Sequence, residues 1–123
     1  VRRRLRNRQA PAPQLFPPHA PVRARHAARV GRLVEERERL YVALGEQDGV
    51  SVFPSGANFL LFRIDGGDGH AIWQAVADRG VLVRDFSRWP GVEDCLRVSV
   101  GTPAENDAFL HALEAALREH GAR

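Results

Sequence analysis

The sequence predicts an α+β fold: a small, mostly antiparallel sheet with helices packed on it, in the order α-β-β-α-β-β-α. Three observations carry the prediction. Short apolar or alternating runs start at Val50, Asn58, Val81 and Cys95, each bounded by Gly, Pro or Asp. Apolar stripes of helical period occur around Val30–Leu44, Ile72–Val76 and Phe109–Leu117. A length of 123 residues, 44% of them hydrophobic, allows one small core.

The first helix is expected over roughly 24–44. Val30, Leu33, Val34, Arg37, Leu40, Tyr41 and Leu44 share one stripe, and Arg32, Glu35, Glu36 and Arg39 lie opposite. Glu35 precedes Arg39 by one turn, the favourable order for an ion pair, and Gly45 is the stop. Val50–Phe53 reads as a short strand and Pro54-Ser55-Gly56 as a turn. Asn58–Ile64 is apolar on both faces, so it should be a central strand. Asp65-Gly66-Gly67-Asp68-Gly69 then leads into a second helix with the stripe Ile72, Trp73, Val76, closed by Gly80. Glycine-rich turns before helices bind phosphate, but two aspartates here would repel it. Asp68 is therefore expected to be an N-cap.

Val81–Phe86 is the third expected strand, and Ser87–Asp94 a loop. Cys95–Val100 is the fourth strand, with Leu96, Val98 and Val100 facing one way and Cys95, Arg97 and Ser99 the other. Thr102-Pro103-Ala104-Glu105 has the form of a capping box with proline at the first helical position. It opens the last helix, whose stripe is Phe109, Leu110, Leu113, Ala116 and Leu117.

Residues 1–21 hold five of the eight prolines and are expected to be a disordered Arg/Pro-rich leader, with 22–123 as the folded domain. The net charge of +3 conceals an asymmetry. Residues 1–45 carry 11 Arg against 3 acidic residues, and residues 46–123 carry 7 Arg against 12. A basic arm invites nucleic acid, but up to residue 39 its one aromatic is Phe16, so there is no stacking platform and nucleic acid is not expected as a partner. The longest apolar runs fall far short of the ~20 residues that span a membrane. The basic start leads into prolines and not into an apolar stretch, so it lacks the signal-peptide pattern and a cytoplasmic protein is expected.

All 18 basic residues are arginine; there is no lysine. An internal Schiff base and a P-loop lysine are therefore excluded. Cys95 is the single cysteine, which excludes an internal disulfide and a multi-Cys zinc site; it reads as a small buried residue. No two of the five histidines have ligand spacing, so no metal site is expected. The informative polar residues are Arg97, in mid-strand beside Cys95 and Ser99, and Arg84, at a strand end. Two arginines on rigid strands suit a clamp for two anions, because guanidinium grips carboxylate or phosphate in bidentate fashion. The structural alternative is that Arg97 pairs with Asp85 or Asp94.

Ser55-Gly56-Ala57-Asn58-Phe59-Leu60-Leu61-Phe62-Arg63, Arg79-Gly80-Val81-Leu82-Val83-Arg84-Asp85-Phe86, Asp94-Cys95-Leu96-Arg97-Val98-Ser99-Val100-Gly101-Thr102-Pro103 and Glu105-Asn106-Asp107 follow one another at characteristic distances. Together they resemble the C-terminal small domain of histidinol-phosphate aminotransferases, pyridoxal-phosphate enzymes of the fold-type I superfamily. The likeness runs from about Val30 to Leu117.

The resemblance implies that Arg97 anchors an acidic group of the substrate and that Arg84 recognises the phosphate end. Asn58 would be structural. It also implies a transaminase of histidine biosynthesis, with pyridoxal 5'-phosphate as cofactor, a small-molecule substrate and a homodimeric parent. The Schiff-base lysine, the aspartate that pairs with the pyridinium nitrogen and the phosphate cup belong to the large domain of such enzymes. None is present, so no catalytic, cofactor-binding or metal-binding residue is assigned here. The missing large domain is the expected partner, and this chain alone is expected to be inactive. Residues 1–27 do not resemble the apolar helical stretch expected upstream, which suggests a misread frame or a gene break near residue 27. The alternative function is a stand-alone module that binds small phosphorylated or dicarboxylate metabolites without catalysis.

Overall fold

The structure, a computed structural model, describes residues 22–120. The leader expected over 1–21 lies outside the described residues. The described chain divides after Arg32: the first part of helix α1 (Val22–Gly45) forms one unit, and the remainder carries the sheet, the other helices and the core. The order is α1, β1 (Val50–Val52), β2 (Phe59–Ile64), α2 (Gly69–Asp78), β3 (Arg84–Asp85), β4 (Cys95–Ser99), α3 (Pro103–His120). This is the expected α-β-β-α-β-β-α fold. The sheet order is β1-β2-β4-β3, with every pairing antiparallel. Among the described residues no helix is long and apolar enough to cross a membrane.

β2 is internal, as its two apolar faces required. Leu60, Phe62 and Ile64 are buried with Leu96, Val98 and Val100 of the β4 segment under α2 and α3. Phe62 and Phe109 meet edge to face at 5.7 Å between centroids. Leu40 and Leu44 of α1 complete this core, with Leu33 and Tyr41 at its margin. Val34, expected in the same stripe, is exposed, as is Val42. Arg37 in that stripe is not wasted: its guanidinium donates to the Ala57 carbonyl at 3.3 Å, tying α1 to the loop before β2.

Local caps form as their residue types dictate. Asp68 accepts from the backbone N–H groups of His70 and Ala71 at 3.0 and 3.3 Å. Thr102 Oγ1 accepts from the Glu105 N–H, and Glu105 Oε1 accepts from the Thr102 N–H, which completes the capping box. Gly69 opens α2 against the backbone of Asp94, whose Oδ1 accepts its N–H at 3.0 Å. A Cβ at Gly69 would lie 2.7 Å from the Asp94 Cα, so only glycine fits.

Two expectations fail for identifiable reasons. The strand expected over Val81–Phe86 pairs only at Arg84 and Asp85. α2 ends in a Schellman motif: Gly80 has φ 83°, its N–H donates to the Ala77 carbonyl, and the Val81 N–H donates back to the Val76 carbonyl. The helix end thus takes the donor that a strand would need, and Leu82 is left 86% exposed. The expected Glu35–Arg39 pair is replaced by Arg39 with Glu36 (2.8 Å) and Asp107 (2.9 Å). The reason is Asn106, which is 2% exposed. Its Nδ2 donates to Glu36 Oε1 and to the Gly101 carbonyl, and its Oδ1 accepts from the Gly101 N–H. Glu36 is pinned there and draws Arg39 with it.

Candidate functional site

The helices cover one face of the sheet. The register places Leu61 beside Arg97 and Arg97 beside Arg84, so all three project from the other face. Directly paired residues are about 5 Å apart at Cα, so the two arginines rise from neighbouring points on the sheet. Aromatic rings lie beneath both. The Arg97 Cζ is 4.8 Å from the Phe59 centroid and 5.7 Å from that of Phe86, and the Arg84 Cζ is 5.5 Å from Phe86. Phe86 therefore supports both guanidiniums, and it meets Trp89 in a T-shaped pair with centroids 5.0 Å apart. Trp89 is itself 56% exposed at this rim.

Neither arginine has a counter-ion among the described residues, and the Arg97 Nε is buried without a partner. The alternative pairing of Arg97 with Asp85 or Asp94 does not form. Asp85 follows Arg84 in the strand, so its carboxylate points to the helix face. There it lies 2.7 Å from His70 Nδ1 and accepts from the Ser87 N–H at 2.8 Å. Partial burial works against the Asp85 carboxylate, but the bonds from Ser87 and His70 outweigh it and hold its pKa below the usual range. Asp94 is occupied by Gly69.

Like charges placed directly opposite on a sheet are unfavourable, and the aromatic faces offset only part of that. The arrangement is suited to an anion, which would supply the missing acceptors to rigidly held forks. Arg63, one strand further, is already engaged: its Nε donates to the Glu93 carbonyl at 3.2 Å and its Cζ lies 5.5 Å from the Phe53 centroid. Cys95 is fully buried, and burial pushes its thiol pKa up even though Arg63 opposes this, which disfavours the thiolate. The backbone carbonyl of Asn58 accepts from the Val100 N–H at 2.8 Å.

Phe59 and Phe86 were not singled out from the sequence. The signal was available for Phe86, two residues after Arg84 and hence on the same face, but its relation to Arg97 depends on a register that the sequence does not state.

Fold and open face together define an α+β domain that presents two uncompensated guanidiniums from adjacent strands. The chain belongs to the aminotransferase class I and II family, which it matches over residues 16–113. The match begins upstream of the break expected near residue 27. The chain is 50% identical over 88 residues to the histidinol-phosphate aminotransferase of Roseiflexus castenholzii, covering 69% of this chain and 24% of that protein. It is 48% identical over 90 residues to the enzyme of the same name from Aquifex aeolicus, covering 73% of this chain and 25% of that protein. The chain thus spans about a quarter of the length of the curated relatives it matches.

Among solved structures, L-threonine-O-3-phosphate decarboxylase from Porphyromonas gingivalis superposes with TM-score 0.67 at 30% identity, over 72% of this chain and 28% of that one. The histidinol-phosphate aminotransferase of Clostridium acetobutylicum shares the fold with TM-score 0.73 at 21% identity, over 80% of this chain and 30% of that one.

Proposed function

We propose that this chain is the substrate-gripping small domain of a histidinol-phosphate transaminase of histidine biosynthesis, with Arg97 and Arg84 as its anion clamp. The observation that carries the reading is the in-register pair of arginines over Phe86, neither with a counter-ion among the described residues. Arg97, with its buried unpartnered Nε, binds the acidic group of the substrate. Arg84, exposed at the sheet edge, meets the phosphate end. The names and identity levels of the relatives support the substrate class.

The residues here do not make a pyridoxal-phosphate site. With no lysine in the chain, there is no side-chain amine to hold the cofactor as a Schiff base. The cofactor, the covalent chemistry and its acid–base groups are assigned to a large domain, which is this chain's partner in a homodimeric, cytoplasmic parent enzyme. What the present residues contribute is orientation. Two fixed forks grip the anionic phosphate of the substrate from neighbouring points on the sheet, and that removes much of the entropic cost of aligning it.

The test is turnover. Purified chain supplied with pyridoxal phosphate, histidinol phosphate and a 2-oxo acid should give no transamination, and adding a relative's large domain should supply it. Turnover by the chain alone would overturn the reading.

A further inference from the structure

We propose that His70 and Trp73 of α2 are positioning residues for Arg84, because they tether the residues on both sides of it. The inference rests on Arg84 binding an anion, as proposed above.

β3 is only two residues long and lies at the sheet edge, so its ladder has one partner. The preceding segment has left β4, because its first N–H is taken by the end of α2 and Leu82 points into solvent. The ladder alone therefore holds Arg84 weakly. The missing restraint comes from α2. The Trp73 Nε1–H donates to the Val83 carbonyl at 2.8 Å, and His70 Nδ1 lies 2.7 Å from Asp85 Oδ2. The two rings stack on each other at 5.4 Å with 26° between their planes, so the tethers form one rigid bracket. α2 is anchored in turn by its Asp68 cap and by Gly69 against Asp94.

The bracket acts on Arg84 in two ways. It fixes the peptide group before the residue and the side chain of the residue after it, and so the direction in which the Arg84 side chain leaves the strand. It also keeps the Asp85 carboxylate, reinforced by the Ser87 N–H, on the helix face and away from the guanidinium. Val83 packs at the margin of the core but is only half-buried, and Arg84 is exposed, so hydrophobic burial supplies only part of this restraint.

The test uses the full chain and sulfate, a dianion whose charge does not change near neutral pH, with guanidinium Nε–H resonances as the readout. Arg84→Gln should weaken sulfate binding. Trp73→Phe, which removes the donor and keeps an aromatic ring, and His70→Ala should each weaken it about threefold to tenfold, the scale of one lost hydrogen bond. His70→Gln, which retains a donor, should restore part of the loss.

In an Arg84→Gln background neither α2 substitution should have further effect. Wild-type sulfate affinity in Trp73→Phe and His70→Ala, with Arg84→Gln weakened, would overturn the bracket and leave the clamp standing. Losses that persist in the Arg84→Gln background would also overturn it, because they would mean general loosening. No effect of Arg84→Gln would remove the Arg84 reading and the bracket with it.

Discussion

Truncating Asn106 should cost more than any other single polar change in the described core. Its side chain makes three hydrogen bonds at 2.9–3.0 Å, two of them to the Gly101 peptide groups and one to the Glu36 carboxylate. Two neutral bonds at about 1 kcal/mol each and one to a charged group at about 1.5–3 kcal/mol give a loss of about 4 kcal/mol on Asn106→Ala. That is a large part of the ~5–15 kcal/mol that holds a domain together. In urea, with a slope of about 2 kcal/mol per molar, the unfolding midpoint should fall by about 2 M at unchanged slope. The emission of Trp73 and Trp89 is a suitable signal. Asn106→Asp keeps the acceptor but sets a second carboxylate beside Glu36, so its loss should shrink as pH falls. A loss below about 1 kcal/mol for Asn106→Ala would refute the account, since it would mean that water replaces all three bonds at no cost.

Other expectations follow from the same contacts. Gly69→Ala should destabilise by about 1–3 kcal/mol, because the new Cβ meets backbone and not a movable side chain. An unchanged melting temperature would contradict this. For Glu36, burial raises the pKa, but Arg39 and Asn106 more than offset it and the net shift is downward. Asp85 is likewise lowered. A carboxylate with a depressed folded pKa contributes stability above its unfolded value, and that stability is lost as pH falls through the folded one. The contribution should thus be complete above the ordinary values of 4.5 and 3.8 and decline below them. Urea midpoints from pH 7 to pH 3 should show the decline, and it should flatten in the Glu36→Gln, Asp85→Asn double variant.

The helix caps were legible in the sequence because they are local. Asp68 and the Thr102–Glu105 box use partners within three residues, so residue type and spacing suffice. The central place of β2 was legible from burial demand on both faces. β3 is shorter than the sequence predicts because two signals compete for one segment: its β-branched residues favour a strand, while the Gly80 Schellman turn and Trp73 pull it toward α2. The Asn106 network joins residues 70 apart in the chain, so no local pattern reports it. The arginines themselves were visible as polar residues on apolar strands. Whether Asp85 would neutralise Arg97 was not, because that depends on which face the register assigns to each.

The most direct test of the central claim is a hybrid enzyme in which residues 33–117 replace the matching segment of the Roseiflexus castenholzii relative, assayed for histidinol-phosphate turnover with and without Arg97→Ala. Removing one partner of a desolvated charge pair costs about 2–5 kcal/mol, so kcat/KM should fall about 30-fold or more while the hybrid stays folded. A folded Arg97→Ala hybrid that keeps the parent kcat/KM would contradict the claim that this face grips the substrate.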